Sequence, residues 1–375
     1  MITQTLAILI DAYRELNARK LFWIVLILSG LVVLAFLAVG INPHGVTVFG
    51  MRVGRSFDTF DMDRAEIYKG LFYTLGVNIW LTWIAAALAL ISTAGIFPDL
   101  LSGGSIDLYL AKPIGRVRLF LTKYVAGLAF VVLQVSIFCA ASFLVLGIRG
   151  GTWQPGVFWA VPIVVCFFSY VYCVCVLLGV LTRSTIAAVL LTILFWCIIW
   201  GVHVVENATL ESNFKAEIVA ARLDRQIANQ QLQLTKLQTP GSSKDQDEKR
   251  ASYQSKIDAL RQKRQDATEG FDWHRPAFMT MTLLPKTTET VELMRRKLSS
   301  ATEMDSADDQ AEQRAAAEDE PRPLFFGMTT DDVAVTAMTD KALRARSVSW
   351  VVGTSLAFEA VIVALAAWIF CRRDY

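Results

Sequence analysis

Residues 97–124 read FPDLLSGGSIDLYLAKPIGRVRLFLTKY, and the pentapeptide Leu101-Ser102-Gly103-Gly104-Ser105 near the start poses the fold question. A Gly-rich turn cradles phosphate when it joins a strand to a helix in an α/β nucleotide-binding domain, and otherwise it is a sharp bend between two elements. Phosphate binding requires a GxxxxGK[ST] loop and a downstream acid to hold magnesium. No such loop occurs here, and the nearest Gly-rich alternative, GIRGGTW at Gly147 to Trp153, has no lysine. The flanks on both sides are nearly continuous apolar runs, which leave no room for an α/β domain. The pentapeptide is therefore read as a bend between membrane helices, and the chain as a protein that does not itself hydrolyse ATP.

Composition agrees with that reading. The 375 residues are 54% hydrophobic, and the mean hydropathy is +0.44, more apolar surface than a soluble core hides. A net charge of +2 and a pI near 8.2 give no basic face for nucleic acid. All six cysteines lie in or at the end of apolar runs, so they form no disulfide framework. Cys173 and Cys175 point different ways on a helix and are read as small packing residues rather than metal ligands. His44, His203 and His274 are too scattered for a metal site or a catalytic triad. Neither a metal nor a cofactor is expected.

Six runs are long enough to cross about 30 Å of hydrocarbon: Leu21 to Gly40, Leu71 to Phe97, Tyr124 to Gly147, Val157 to Leu181, Thr185 to Val205 and Val348 to Phe370. The expected fold is all-α, with six transmembrane helices. Residues 1–205 hold an N-terminal elbow and five spans, 206–346 an extracytoplasmic insertion, and 347–375 the sixth span and a tail. Tryptophans such as Trp23, Trp153, Trp159 and Trp368 mark span ends, as an interfacial belt does. One set of ends carries Arg19, Lys20, Lys112, Arg116, Arg118, Lys123, Arg183 and Arg372, which by the positive-inside rule puts both termini in the cytoplasm. Before the first span, Leu6, Ile10, Tyr13 and Leu16 recur at helical spacing, the pattern of a helix lying in the cytoplasmic leaflet.

The insertion carries roughly two thirds of the charged residues. Two helical patterns, about 210–237 and 246–267, flank the turn signal TPGSSKD, and Leu223, Ile227, Leu234, Tyr253, Ile257 and Leu260 give each an apolar stripe. An antiparallel helical hairpin is expected, offering a surface to an extracytoplasmic partner. Residues 271–298 read as an outer amphipathic element, and 299–323, acidic and poor in core formers, as a disordered linker.

The stretch SGGSIDLYLAKPIGRVRLFLTKY resembles the cytoplasmic loop of type-two ABC exporter permeases. The resemblance rests on Asp99, Ser102, Gly104, Ser105, Ile106, Leu110, Ala111, Lys112, Pro113, Ile114, Gly115, Arg116 and Lys123. The closing AAWIFCRRDY is similar to that family's usual ending, and with the spans and elbow the resemblance covers about 230 residues, excluding the insertion. It implies a permease subunit in the bacterial inner membrane, working as a homodimer or with a related permease, and driven by separate cytoplasmic ABC ATPase subunits. Independently, Gly103 and Gly104 permit a tight bend, Pro113 interrupts a helix, and Ile106, Tyr109 and Leu110 form a short apolar face suited to a partner groove. Lys112, Arg116, Arg118 and Lys123 also suit an anionic lipid surface.

Ionisable groups inside spans are the remaining signal. Glu359 lies in the middle of the last apolar run, where a charge costs roughly 3 kcal/mol. It is read as a pathway group or as a packing group bonded to Asn78, Gln134 or Ser169, with Asn78 and Gln134 themselves suited to holding helices together. Two other functions fit the same sequence: a membrane-anchored interaction protein that presents the hairpin, and a proton-coupled carrier that uses Glu359.

Overall fold

A computed structural model of the chain describes residues 20–42, 45–48, 51–52, 64–101, 115–236, 244–268, 274–298, 308–315, 321–323 and 328–372. The elbow sequence and the bend at 102–114 lie outside these residues. Almost everything described is helix, joined by a small antiparallel sheet, β1 (Val39–Asn42), β2 (Gly45–Val48) and β3 (Met51–Arg52), that the sequence reading did not foresee. Its register pairs Val39 with Val48 and Asn42 with Gly45.

The chain divides into two compact units. The first comprises residues 1–200, 282–299 and 348–375, and the second residues 201–281 and 300–347. In the first, α1 (Lys20–Ala38) is followed by α2 (Arg64–Leu71), a π-helical segment (Phe72–Ala85), α3 (Ala86–Thr93) and α4 (Ile96–Leu101). Then come α5 (Arg116–Gly150), a 3-10 turn (Pro155–Trp159), α6 (Ala160–Thr182) and α7 (Thr185–Lys236). Among the described residues five helical stretches are long and apolar enough to cross a membrane: Tyr68–Leu101, Arg116–Gly150, Pro155–Thr182, Thr185–Lys236 and Val348–Arg372. Helix α1, the expected first span, is apolar but shorter over Phe22–Ala38.

Aromatic and small residues set the packing. Phe97 lies against Phe120 at 4.9 Å and Phe120 against Phe370 at 5.6 Å, which joins α4, α5 and the last helix at one end of the unit. A Cβ on Gly179 would meet the Pro98 ring at 3.3 Å, so α6 approaches α4 closely there. Near the other end of α5, a Cβ on Gly147 would stand 2.6 Å from the Trp153 ring, and Arg149 donates to the Leu37 carbonyl at 2.8 Å.

The fifth span does not stop where its hydropathy falls. Helix α7 continues unbroken for 52 residues, from Thr185 to Lys236, because between Gly201 and Thr239 the sequence contains neither proline nor glycine to end it. In the second unit α7 is accompanied by α8 (Lys244–Thr268) and by residues up to Met281 of α9 (His274–Leu283). Asp224 of α7 and Arg264 of α8 form an ion pair at 2.6 Å.

Helix α10 (Thr287–Leu298) belongs to the first unit although the sequence reading placed it within the outer insertion. Val291, Leu293 and Met294 are buried there, and Tyr73 donates to Glu292 at 2.5 Å. Residues 308–315, expected to be disordered, form a short helix whose Asp309 pairs with Lys341 at 2.7 Å and whose Asp308 pairs with Arg344. Their cationic partners lie on α11 (Thr330–Ala345), which the last helix α12 (Val348–Arg372) follows. Thr329 and Asp332 close a reciprocal capping box at the start of α11. The Thr329 amide, assisted by its hydroxyl, holds the Asp332 carboxyl below its usual pKa. Arg222 clasps Asp331 through two short bonds of 2.5 and 2.9 Å, and Arg346 donates to the fully buried Glu206 at 2.6 Å.

Candidate functional site

Glu359 sits midway along α12, and two helices reach it. Tyr124 of α5 donates its hydroxyl to Oε1 at 2.7 Å, and Ser169 of α6 lies 2.7 Å from Oε2. The Ser169 hydroxyl is also 2.8 Å from the Cys166 carbonyl, so its one proton is shared between the two acceptors. An acid in an apolar span is tolerable when hydroxyls replace the water it has lost, and here both carboxyl oxygens are met. The Tyr124 ring is fixed in turn by stacking on Tyr172 at 5.3 Å, which stacks on Phe168 at 5.5 Å.

Of the three partners weighed for Glu359, only Ser169 is one. Asn78 is exposed on the π-helical segment. Gln134 is buried elsewhere, beside Ser29 in a cavity of about 10 Å³ between α1, α3, α5 and α6. Tyr124 was missed because a tyrosine at a span's start reads as belt.

A second polar constellation, absent from the sequence reading, lies one helical turn along α12. Lys286, between α9 and α10, is fully buried. Its ammonium donates to Thr354 Oγ1 at 2.8 Å and lies 4.2 Å from the centre of the Trp350 ring, while its amide donates to Ser355 Oγ at 3.0 Å. Ser355 and Glu359 are four residues apart and so share a face of α12. One stripe of the last helix thus holds α10 at one level and α5 and α6 at the next.

The described residues on either side of 102–114 gather at one end of the unit. Asp99 is exposed on α4, Arg118 is half-buried, and Arg116 donates to the Cys371 carbonyl at 3.0 Å, tying the start of α5 to the end of α12. Arg372 lies 4.5 Å from the centre of the Trp368 ring at that same helix end. Gly103, Gly104, Ile106, Tyr109, Leu110, Lys112 and Pro113 lie outside the described residues. Among the described residues no His, Cys, Asp or Glu cluster fit for a metal is present.

Comparison of the chain with protein-family models, with curated proteins and with solved structures gives no match.

Proposed function

We propose that the chain is the membrane-spanning permease subunit of an ATP-driven transporter, working in the export direction, with ATP hydrolysed by separate cytoplasmic ATPase subunits. The carrying observation is the sequence from Asp99 to Lys123: a glycine bend, a short apolar face and a basic run, joining two span-long helices. Its far flank is bonded through Arg116 to the end of α12, beside Arg372. In this reading the chain has six spans in a bacterial inner membrane, its basic end faces the cytoplasm, and the bend is what an ATPase grips. The segment paired through Asp224 and Arg264 becomes an extracytoplasmic helical hairpin. Two permease subunits, of this chain or of this chain and a relative, enclose the path.

A proton-coupled carrier is the second reading, favoured by the two hydroxyl contacts of Glu359. Co-purification separates the two. Replacing Ile106 and Leu110 together by Asp, with Arg116 kept because it secures α12, should abolish recovery of an ABC-type ATPase with the chain while leaving its membrane level unchanged. Failure to recover any ATPase with the parent chain rejects the ATP-driven reading.

A further inference from the structure

We propose that the face of the α7–α8 pair bearing Lys256 and Lys263 docks an amphipathic helix with acidic flanks, contributed by another extracytoplasmic protein. The pair is under-packed for two helices of this length. Among its described residues between 223 and 267, Ile227 and Ile257 are the buried apolar side chains, while Leu232 is 56% exposed. A groove of about 570 Å³ runs along this face of the pair, lined by residues 226–230 of α7 and 256–263 of α8. Seven steps of α8 at 1.5 Å each give a track of about 10 Å, the length of two helical turns.

The chemistry along this track is one-sided. Ala259 lets another backbone approach closely, and Leu260 supplies apolar floor. Lys256 and Lys263 stand along it, and no acidic residue lines the groove. The nearby acids Asp224, Asp258 and Asp266 are engaged elsewhere: Asp224 with Arg264 at 2.6 Å, Asp258 with Arg261 at 3.6 Å, and Asp266 accepting from Gln262 at 3.3 Å. The Gln230 Oε1, shielded from solvent in this groove, has no hydrogen-bond partner among the described residues. A third helix would cover the apolar floor, meet the cations with carboxylates and offer Gln230 a donor. A second copy meeting through the same face would instead set lysine against lysine, which is repulsive.

The surface chemistry stands apart from the ATP-driven reading; only the side of the membrane is taken from it. The test uses the full chain in cells that naturally carry it, with a photo-crosslinking amino acid at Ala259, which is exposed. The expected result is an adduct whose crosslinked peptide, identified by mass spectrometry, comes from a helix of another protein with Asp or Glu flanking its apolar positions. Lys256→Glu with Lys263→Glu should reduce the adduct roughly tenfold or more, since like charges across an interface are strongly unfavourable. Lys256→Gln with Lys263→Gln should give an intermediate yield, which guards against a folding defect in the charge reversal. An adduct to lipid or to a second copy, no adduct in the parent, or a yield indifferent to the substitutions overturns the proposal. Membrane level and any co-purified ATPase are measured on the same samples, so loss of the ATPase marks failure of the transporter reading and not of this one.

Discussion

Gly127 of α5 lies directly under the Tyr172 hydroxyl of α6: a Cβ on Gly127 would stand 2.3 Å from that oxygen and 2.7 Å from the ring carbon that bears it. Tyr172 is fully buried and cannot swing into solvent. Gly127→Ala should therefore force α5 and α6 apart or displace the ring, at a cost of about 1 to 3 kcal/mol, read as a lower thermal midpoint of the purified protein. Adding Tyr172→Leu should restore part of that loss, because the shorter side chain vacates the space. Additive effects of the two substitutions would show that the close approach is not what Gly127 serves.

The long elements were legible because a membrane span is written in composition alone, and Thr185 to Val205 or Tyr124 to Gly147 needs no partner to be seen. Glu359 was legible for the converse reason, as a lone carboxylate in an apolar run. Its partners were not, since Tyr124 is 235 residues away in sequence and periodicity carries no information about which faces meet. The burial of α10 was hidden similarly: Thr287 to Leu298 alternates polar and apolar residues as a surface helix does. What turns it inward is Lys286 meeting Thr354 and Ser355, an encounter 68 and 69 residues apart. The continuation of α7 past Val205 was not legible, because hydropathy marks where lipid ends, whereas only a helix breaker marks where a helix ends.

Arg222 and Asp331 test how the second unit holds together. Their side chains are 10% and 6% exposed, so the pair is desolvated, and breaking it from one side leaves a buried charge. Arg222→Met alone should cost about 3 to 5 kcal/mol. Arg222→Met combined with Asp331→Leu should cost far less, since both charges leave together. Denaturant titration of the four proteins in the cycle gives the coupling, and a double variant as weak as the worse single one would contradict the assignment.

The proposed topology is checked by two single cysteines in a background freed of native thiols, including the exposed Cys197. Gln254→Cys on α8 should react with a membrane-impermeant maleimide in intact cells once any outer membrane is permeabilised. Ser184→Cys, between α6 and α7, should react only after the inner membrane is opened. Both positions are exposed, so a missing signal reflects sidedness and not burial. The opposite pattern would invert the chain.

Glu359 separates transport from packing. A glutamine keeps an acceptor for Tyr124 or Ser169 but loses the charge. If Glu359 changes its protonation or meets cargo during the cycle, Glu359→Gln should fold and assemble normally yet impair ATP hydrolysis stimulated by transport. If it only fastens α12 to α5 and α6, Glu359→Gln should be nearly neutral. Glu359→Leu, which forfeits both contacts of 2.7 Å, should then weaken the bundle by about 0.6 to 2 kcal/mol, the range for hydrogen bonds between membrane helices. Tyr124→Phe supplies the internal control, because it removes one of those contacts and leaves the carboxylate. In the packing case its effect should be roughly half that of Glu359→Leu and should vanish when the two are combined. In the transport case Tyr124→Phe should lower stimulated hydrolysis, since it removes one of the two groups that position the carboxylate. Wild-type behaviour of all three variants in stability and in hydrolysis would remove Glu359 from both roles.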